Sequence, residues 1–363
     1  MWLTLLVFLL VLSVLVYVHE FGHFLLAKLN GVKVLEFAFG FRPRLWAKKI
    51  GETEYAVNAI PLGGYVKLYG EDESEQGPQS FKSKTIFQRF LILFAGAFMN
   101  LLLAWVILIV LFANGFDPLM PGVADNPFVE ATQKVQVVKT IENSPAAAAA
   151  LREGDEILKV DGQAIASDQE FIALVSTKKG QPIVLTVKRD QQTRDITLVA
   201  RQNPPPGQGA LGVAIRSLGE VKTSVIAAPA AAFYETGRVV GISAKGMGDF
   251  IHNLFIRGKV SEDVTGIIGI GALTGVTRRL GFEYLVQLVA VVSIGLGVIN
   301  LFPILPLDGG HIAALVYEKI AGRPLSERQM GALAAAGLAF VLLLFVVVTY
   351  KDIVRFDIFG KLF

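Results

Sequence analysis

Four long stretches without a charged side chain constrain this chain's fold more than any other feature. The first opens the chain, carries no charge through Val18 and stays apolar to about Lys28; the others run from Phe90 to Phe116, Tyr284 to Leu307 and Gln329 to Tyr350, with 27, 24 and 22 residues. A helix needs about 20 residues to cross the hydrocarbon core of a bilayer, so each is long enough. The expected fold is therefore a polytopic α-helical membrane protein with about four transmembrane helices. Composition agrees: of 363 residues, 53% are hydrophobic and only 18% charged, which is unlike an ordinary soluble domain. A formal net charge of +3, spread along the chain, speaks against nucleic acid as a partner. There is no cysteine, so any metal has to be held by His, Asp or Glu. The opening stretch lacks the basic start and small-residue cleavage site of a secretion signal and is expected to be a retained helix.

Orientation follows from the basic residues between the stretches. Residues 28 to 89 hold ten Lys and Arg, and none precedes Lys28; the excess of positive charge on cytoplasmic loops then puts this loop inside and the N-terminus outside. The second stretch returns to the outside and the third comes back in. Lys319, Arg323 and Arg328 mark an inner loop, and the C-terminus is extracytoplasmic. Residues 117 to 218 become an extracytoplasmic domain, and 219 to 283, without clear period, an interfacial or amphipathic linker, expected as interfacial helix leading back to the membrane. This divides the chain into 1–116, 117–218, 219–283 and 284–363.

The end of the first stretch reads YVHEFGHFLLAK. His19 and His23, four residues apart on a helix, project from one face as two zinc ligands do, and Glu20 between them can reach a metal-bound water. With Lys28 as the boundary, they lie about 7 to 14 Å inside the membrane at 1.5 Å per residue. Three ionisable groups at that depth carry a penalty of several kcal/mol unless compensated, and a metal ion compensates them. A hydrolytic zinc site takes three protein ligands and an open position. Asp308, at the inner end of the third stretch, where Pro303 and Pro306 are expected to break the helix ahead of it, arrives at the same depth as the two histidines because the first and third stretches cross in the same direction. His311 is the fallback ligand; His252 reads as an ordinary surface residue.

Between these motifs, residues 44 to 60 read as two short strands around Gly51, continued by alternation through Gly63, Gly64, Tyr65, Val66, Lys67 and Leu68. Such a small membrane-associated β-sheet near the inner surface offers an edge to an extended peptide, and a helical substrate has to be extended before its carbonyl is accessible. From 125 to 216, strand-like runs (VQVVKTI, EILKVDGQ, IVLTVKRD, TRDITLVA, ALGVAIRS) alternate with helices at SPAAAAALR and near Asp168 to Thr177, the pattern of a small α+β domain.

HEFGH in a first transmembrane helix, with Asn300, Pro303 and LDGG (307–310) in a later one, resembles the site-2 protease family of intramembrane zinc metalloproteases, in its bacterial form with a single PDZ domain. GFRPRLW (40–46), IPLGGYVKLYGE (60–71), FKSK with AGAFMN (81–100) and SPAAAAALREGDEILKVDGQAI (144–165) extend the resemblance over nearly the whole chain. It implies one Zn2+ per chain held by His19, His23 and Asp308, Glu20 as the catalytic glutamate, and Asn300 as a contact to substrate or transition state. It implies single-pass transmembrane proteins as substrates, hydrolysed within or near the membrane segment, as with anti-sigma factors or signal-peptide remnants. The location it implies is a bacterial plasma membrane, with an extracytoplasmic PDZ domain that binds a peptide or protein C-terminus around Gly209 to Val213. Leu305, Ala97 and the GIIGI of 266–270 depart from the family's usual prolines; none is a proposed ligand. A membrane metal transporter or sensor, and a non-catalytic PDZ scaffold, are the alternatives from other functional classes.

Overall fold

A computed structural model describes residues 2–71, 77–132, 134–165, 167–189, 192–257 and 265–355. The chain divides into two compact units, one formed by Met1–Val110 with Ala232–Phe363 and the other by Leu111–Ala231.

The first unit starts with α1 (Trp2–Leu29), which ends where Asn30 and left-handed Gly31 (φ 65°) close the last turn, an arrangement that satisfies otherwise orphaned carbonyls. Two long antiparallel strands follow, β1 (Val34–Ile50) and β2 (Thr53–Leu68), joined at Gly51, whose positive φ of 61° makes the turn. Both bend, and the bend lets them pair twice. Phe37 lies opposite Tyr55 on one side and Val66 on the other, while residues 44 to 50 pair with 53 to 58. Across the sheet the segments therefore run 44–50, 53–58, 36–39, 64–68, which leaves 64–68 at an edge. This corrects the expectation of two short strands: β1 begins ten residues earlier, at Val34. Its VLEFAFGF stretch is largely buried on both faces, with Glu36 included, so the alternation that marks a half-exposed strand is missing there.

Then comes α2 (Ile86–Asn114), whose start carries a reciprocal cap: Gln88 N–H donates to Thr85 Oγ1 (3.2 Å) and Thr85 N–H to Gln88 Oε1 (3.1 Å). Ala27, Val32, Val34, Leu68, Phe81, Ile92 and Leu93 form one buried cluster, which ties the C-terminal end of α1, the base of the sheet and α2 together.

In the second unit, β3 (Glu130–Ala131) pairs with a later two-residue strand, β10 (Val221–Lys222). Between them lie β4 (Lys134–Thr140), α3 (Pro145–Ala148), β5 (Glu156–Val160), β6 (Gln163–Ala164), α4 (Asp168–Thr177), β7 (Pro182–Arg189), β8 (Gln192–Val199) and β9 (Val213–Leu218). They make a six-stranded sheet of order β8-β7-β5-β4-β9, with β6 on β5. Its core is Val135, Val137, Ile157, Val160, Phe171, Val175, Ile183, Leu185 and Val187 with their neighbours. The alternating strand positions of 135–160 and 183–187 supply the inward faces, as the sequence pattern implies. Asp155, 1% exposed, is clamped by Arg189 through two hydrogen bonds of 2.6 Å and by the Arg152 N–H at 2.8 Å.

The chain continues as α5 (Ala228–His252), α6 (Ile267–Leu280), α7 (Phe282–Asn300), α8 (Asp308–Ala321) and α9 (Glu327–Arg355). The stretch expected as a linker, 219–283, thus holds β10 and two helices. Of these α6 packs on α1: a Cβ on Gly275 would lie 3.1 Å from Thr4 Cγ2. Its first amides, Gly266 N–H and Gly269 N–H, donate to the buried Asp352 Oδ2 at 3.0 and 2.8 Å, so a carboxylate on α9 caps α6.

Among the described residues four helices, α1, α2, α7 and α9, are long and apolar enough to cross a membrane. The third apolar stretch is helical only as far as Asn300, where α7 stops, and Asp308 is the first residue of the separate helix α8, with the break lying ahead of Asp308 as its two prolines imply. Pro303 and Pro306 lack the N–H a continuing helix needs and push the preceding residues out of helical conformation. The turn is also tight: a Cβ on Gly309 or Gly310 would collide with the backbone of Leu301 or Leu305.

Candidate active site

His19 and His23 lie one helical turn apart on α1, so both imidazoles leave the same face. Asp308 reaches them from the start of α8 because α7 ends early and the proline turn redirects the chain. Asp308 Oδ2 lies 3.2 Å from His19 Nε2 and 3.3 Å from His23 Nε2, and the two Nε2 atoms are 3.2 Å apart. Three potential ligand atoms thus form a nearly equilateral triangle, the metal-compatible group found among the described residues. Bonds of about 2.0–2.1 Å in a tetrahedral zinc site separate ligand atoms by roughly 3.3–3.4 Å, so the triangle fits the ion.

The proton arrangement points the same way. His23 Nδ1–H donates to Ile92 O at 2.8 Å, which leaves the Nε2 lone pair facing its neighbours. Asp308 Oδ2 is buried and has no well-formed hydrogen bond although two imidazole nitrogens adjoin it. Converging lone pairs without protons between them repel unless a cation sits among them, and a metal held by deprotonated ligands meets that demand.

The neighbouring helix makes room for it. A Cβ on Gly96 of α2 would collide with His23 Nε2 and come within 2.6 and 2.8 Å of His19 Cε1 and Nε2. On α1, a Cβ at Gly22 would collide with Ala95 O. Glycine at these two positions lets α1 and α2 approach closely around the histidines. Ile92, Gly96 and Asn100 are spaced four apart, so one stripe of α2 faces the cluster.

Glu20 is half-buried beside the histidines. Its carboxylate accepts from the Val66 N–H, and a Cβ on Gly64 would touch Glu20 Cγ at 3.4 Å. The sheet edge formed by 64–68 therefore runs against the glutamate. Ser13 Oγ donates to Pro61 O (2.8 Å), which helps hold the strand on α1. Tyr65, by contrast, turns to the far face, where its hydroxyl donates to Glu36 Oε1 at 2.8 Å and Arg44 holds the same oxygen.

A family model described as Peptidase family M50 matches residues 7–344. The chain belongs to peptidase family M50. This is the site-2 protease family, and the relatives of the M50 chain carry matching names. A protein of Clostridium acetobutylicum named "Putative zinc metalloprotease" is 32% identical over 94% of this chain and 95% of its own length. One of Clostridium perfringens with the same description is 33% identical over 95% and 97%. Among solved structures, the PDZ domain of an SdrC-like protein from Listeria monocytogenes is 28% identical, covering 22% of the M50 chain and 85% of that domain at a TM-score of 0.21.

The structure thus gathers His19, His23, Asp308 and Glu20 with Gly64 and Val66. Asn300 is the last residue of α7, half-buried, eight positions before Asp308. His311, on the next turn of α8, lines a cavity of about 560 Å³ with Arg89, Glu318 and Leu315, outside the triangle. His252 ends α5. Sequence reasoning gave no role to Ile92, Gly96 or Asn100. The available signal was an asparagine and a glycine four apart inside an apolar span, where a buried amide is costly without a partner.

Proposed function

We propose that the chain is an intramembrane zinc endopeptidase, hydrolysing a peptide bond within or near the membrane segment of single-span membrane proteins. The observation that carries this is the sheet edge 64–68 lying against Glu20, one residue from His19 and beside the ligand triangle. A peptide extended along that edge would present its carbonyls to the metal and its scissile bond to the glutamate.

One Zn2+, held by His19, His23 and Asp308, would supply Lewis-acid polarisation and a more acidic water. Glu20 takes the proton from the attacking water and delivers it to the leaving amine. Gly64 keeps the strand close to the glutamate, and the Val66 N–H orients its carboxylate. Gly63, Tyr65, Lys67 and Leu68 complete the edge that receives the substrate, and Asn300 contacts the substrate strand or the developing oxyanion. The proline turn before Asp308 opens helical backbone where a wet, protein-lined site tolerates it.

In this reading the enzyme resides in a bacterial plasma membrane, with both termini and residues 117–218 outside. That external region acts as a PDZ domain, taking a peptide C-terminus where the 209–213 turn enters β9. The test is direct. Purified chain in detergent, given a peptide spanning one membrane segment, yields two fragments whose masses sum to the substrate plus one water. Removal of metal by chelator stops this, and zinc restores it. Intact peptide in the presence of stoichiometric zinc would refute the reading.

A further inference from the structure

Asn100 is completely buried in α2 (0% exposed), inside an apolar helix. Its Nδ2 lies 3.4 Å from His19 Nδ1, while its Oδ1 is buried with no hydrogen-bond partner. These two facts conflict with the ligand triangle. If His19 Nε2 offers its lone pair beside Asp308 and His23, the ring's proton is on Nδ1, and an N–H then faces the amide N–H2. Turning the Asn100 amide by 180° removes the conflict, because oxygen and nitrogen exchange places. The carbonyl then accepts from His19 Nδ1–H, and no donor is lost, since none served the oxygen before.

We infer that Asn100 is a positioning residue for His19: its side-chain carbonyl fixes the tautomer and the ring orientation that present Nε2 to the metal. This deepens the zinc reading given above and rests on it. His23 has the matching arrangement, with its Nδ1–H on the Ile92 main-chain carbonyl. Positions 92 and 100 lie on the same stripe of α2, and Gly96 between them leaves the space into which both rings project. One helix therefore orients both histidine ligands, one through backbone and the other through a side chain. The helix is itself anchored at this point, because Ser293 Oγ on α7 donates to the Asn100 main-chain oxygen at 2.7 Å. An outer acceptor of this kind raises the basicity of the ligating nitrogen and spares the ring a search among orientations.

The test compares zinc affinity of purified full-length wild type, Asn100→Leu and Asn100→Asp in detergent, by competition with a chromophoric chelator. Leucine keeps the bulk and removes the acceptor; aspartate keeps the acceptor. The Leu variant is expected to bind zinc about 10- to 100-fold more weakly, the range for losing such an outer partner, and the Asp variant to stay within a few-fold of wild type. Thermal melts of the zinc-free proteins separate a folding defect from a metal defect. The rescue by aspartate stands even where leucine misfolds, since a purely steric role would not distinguish the acceptor. Wild-type zinc affinity in Asn100→Leu, or equal loss in both variants, overturns the inference. Wild type without stoichiometric zinc overturns the zinc reading itself, a result plainly different from the other two.

Discussion

A single methyl group at position 96 tests how tightly the site is built. A Cβ there collides with His23 Nε2 and crowds the His19 ring, so Gly96→Ala has to push both ligating edges apart. Zinc affinity is expected to fall at least about tenfold, the scale of misplacing a ligand, with a chelator titration of the purified variant as the check. Asp308 and His311 form a second contrast at this scale. Asp308→Asn replaces an anionic ligand by a neutral amide and should sharply weaken zinc, whereas His311→Ala, lining the separate cavity, should leave zinc binding nearly unchanged. The reverse order would make His311 the ligand. In the second unit, burial alone would push the Asp155 carboxyl up, but the Arg189 hydrogen bonds and the Arg152 N–H outweigh it and hold the group below its ordinary value. A carboxylate depressed in this way contributes stability above its unfolded pKa, near 3.9, and loses it as pH falls through the lower folded value. Hydrogen exchange within residues 134–199 of the full chain, taken relative to the intrinsic rate at each pH, should therefore accelerate below about pH 4. Asp155→Asn should accelerate it already at neutral pH, by the equivalent of roughly 3–5 kcal/mol for a broken buried pair. Of these residues, His19, Glu20, His23 and Asp308 were legible in the sequence because a charge in an apolar run has no cheap explanation. Gly96 and Asn100 were not, since glycine and asparagine in a helix also serve packing.

At the scale of elements, the sheet edge matters most. Among the described residues, segment 64–68 pairs with 36–39 on one side only, and its Val66 N–H serves Glu20. Val66→Pro removes that donor and stiffens the strand. Cleavage should slow by at least about tenfold, the cost of one lost transition-state-oriented hydrogen bond of ~1.4 kcal/mol, while zinc content stays at the wild-type value. Unchanged kinetics would detach the edge from catalysis. The strands from Gly51 to Leu68 could be read because turn glycine and alternation frame them. The VLEFAFGF start of β1 could not, because burial on both faces erases the period. The break ahead of Asp308 could be read from Pro303 and Pro306, whereas the end of α7 at Asn300 could not, because absence of charge measures how far a segment is apolar and not where its helix stops. In the second unit, α4 falls on the expected residues, since Ser167 caps it by accepting the Glu170 N–H and the cap is written in the sequence.

For the whole molecule, the proposed enzyme combines a metal centre, a proton-transferring glutamate and a strand-receiving edge among helices long and apolar enough to cross a membrane. Family M50 matches residues 7–344, a range that includes the ligand triangle, Glu20 and the 64–68 edge. The four helices long and apolar enough to cross a membrane were legible from uncharged length alone. The meeting of α1 with the start of α8 agrees with the expectation that brought His19, His23 and Asp308 to one depth. The packing of α6 on α1 and its capping by Asp352 were not legible, because small residues and a single carboxylate give no period to read. The most direct measurement replaces Glu20 by glutamine, which keeps shape and metal ligands but removes the proton acceptor. Membranes or detergent preparations of wild type and Glu20→Gln are given the same single-span substrate, and both cleavage and bound zinc are quantified. Cleavage lost with about one zinc per chain retained in both proteins is the predicted result; cleavage by Glu20→Gln at the wild-type rate would contradict it.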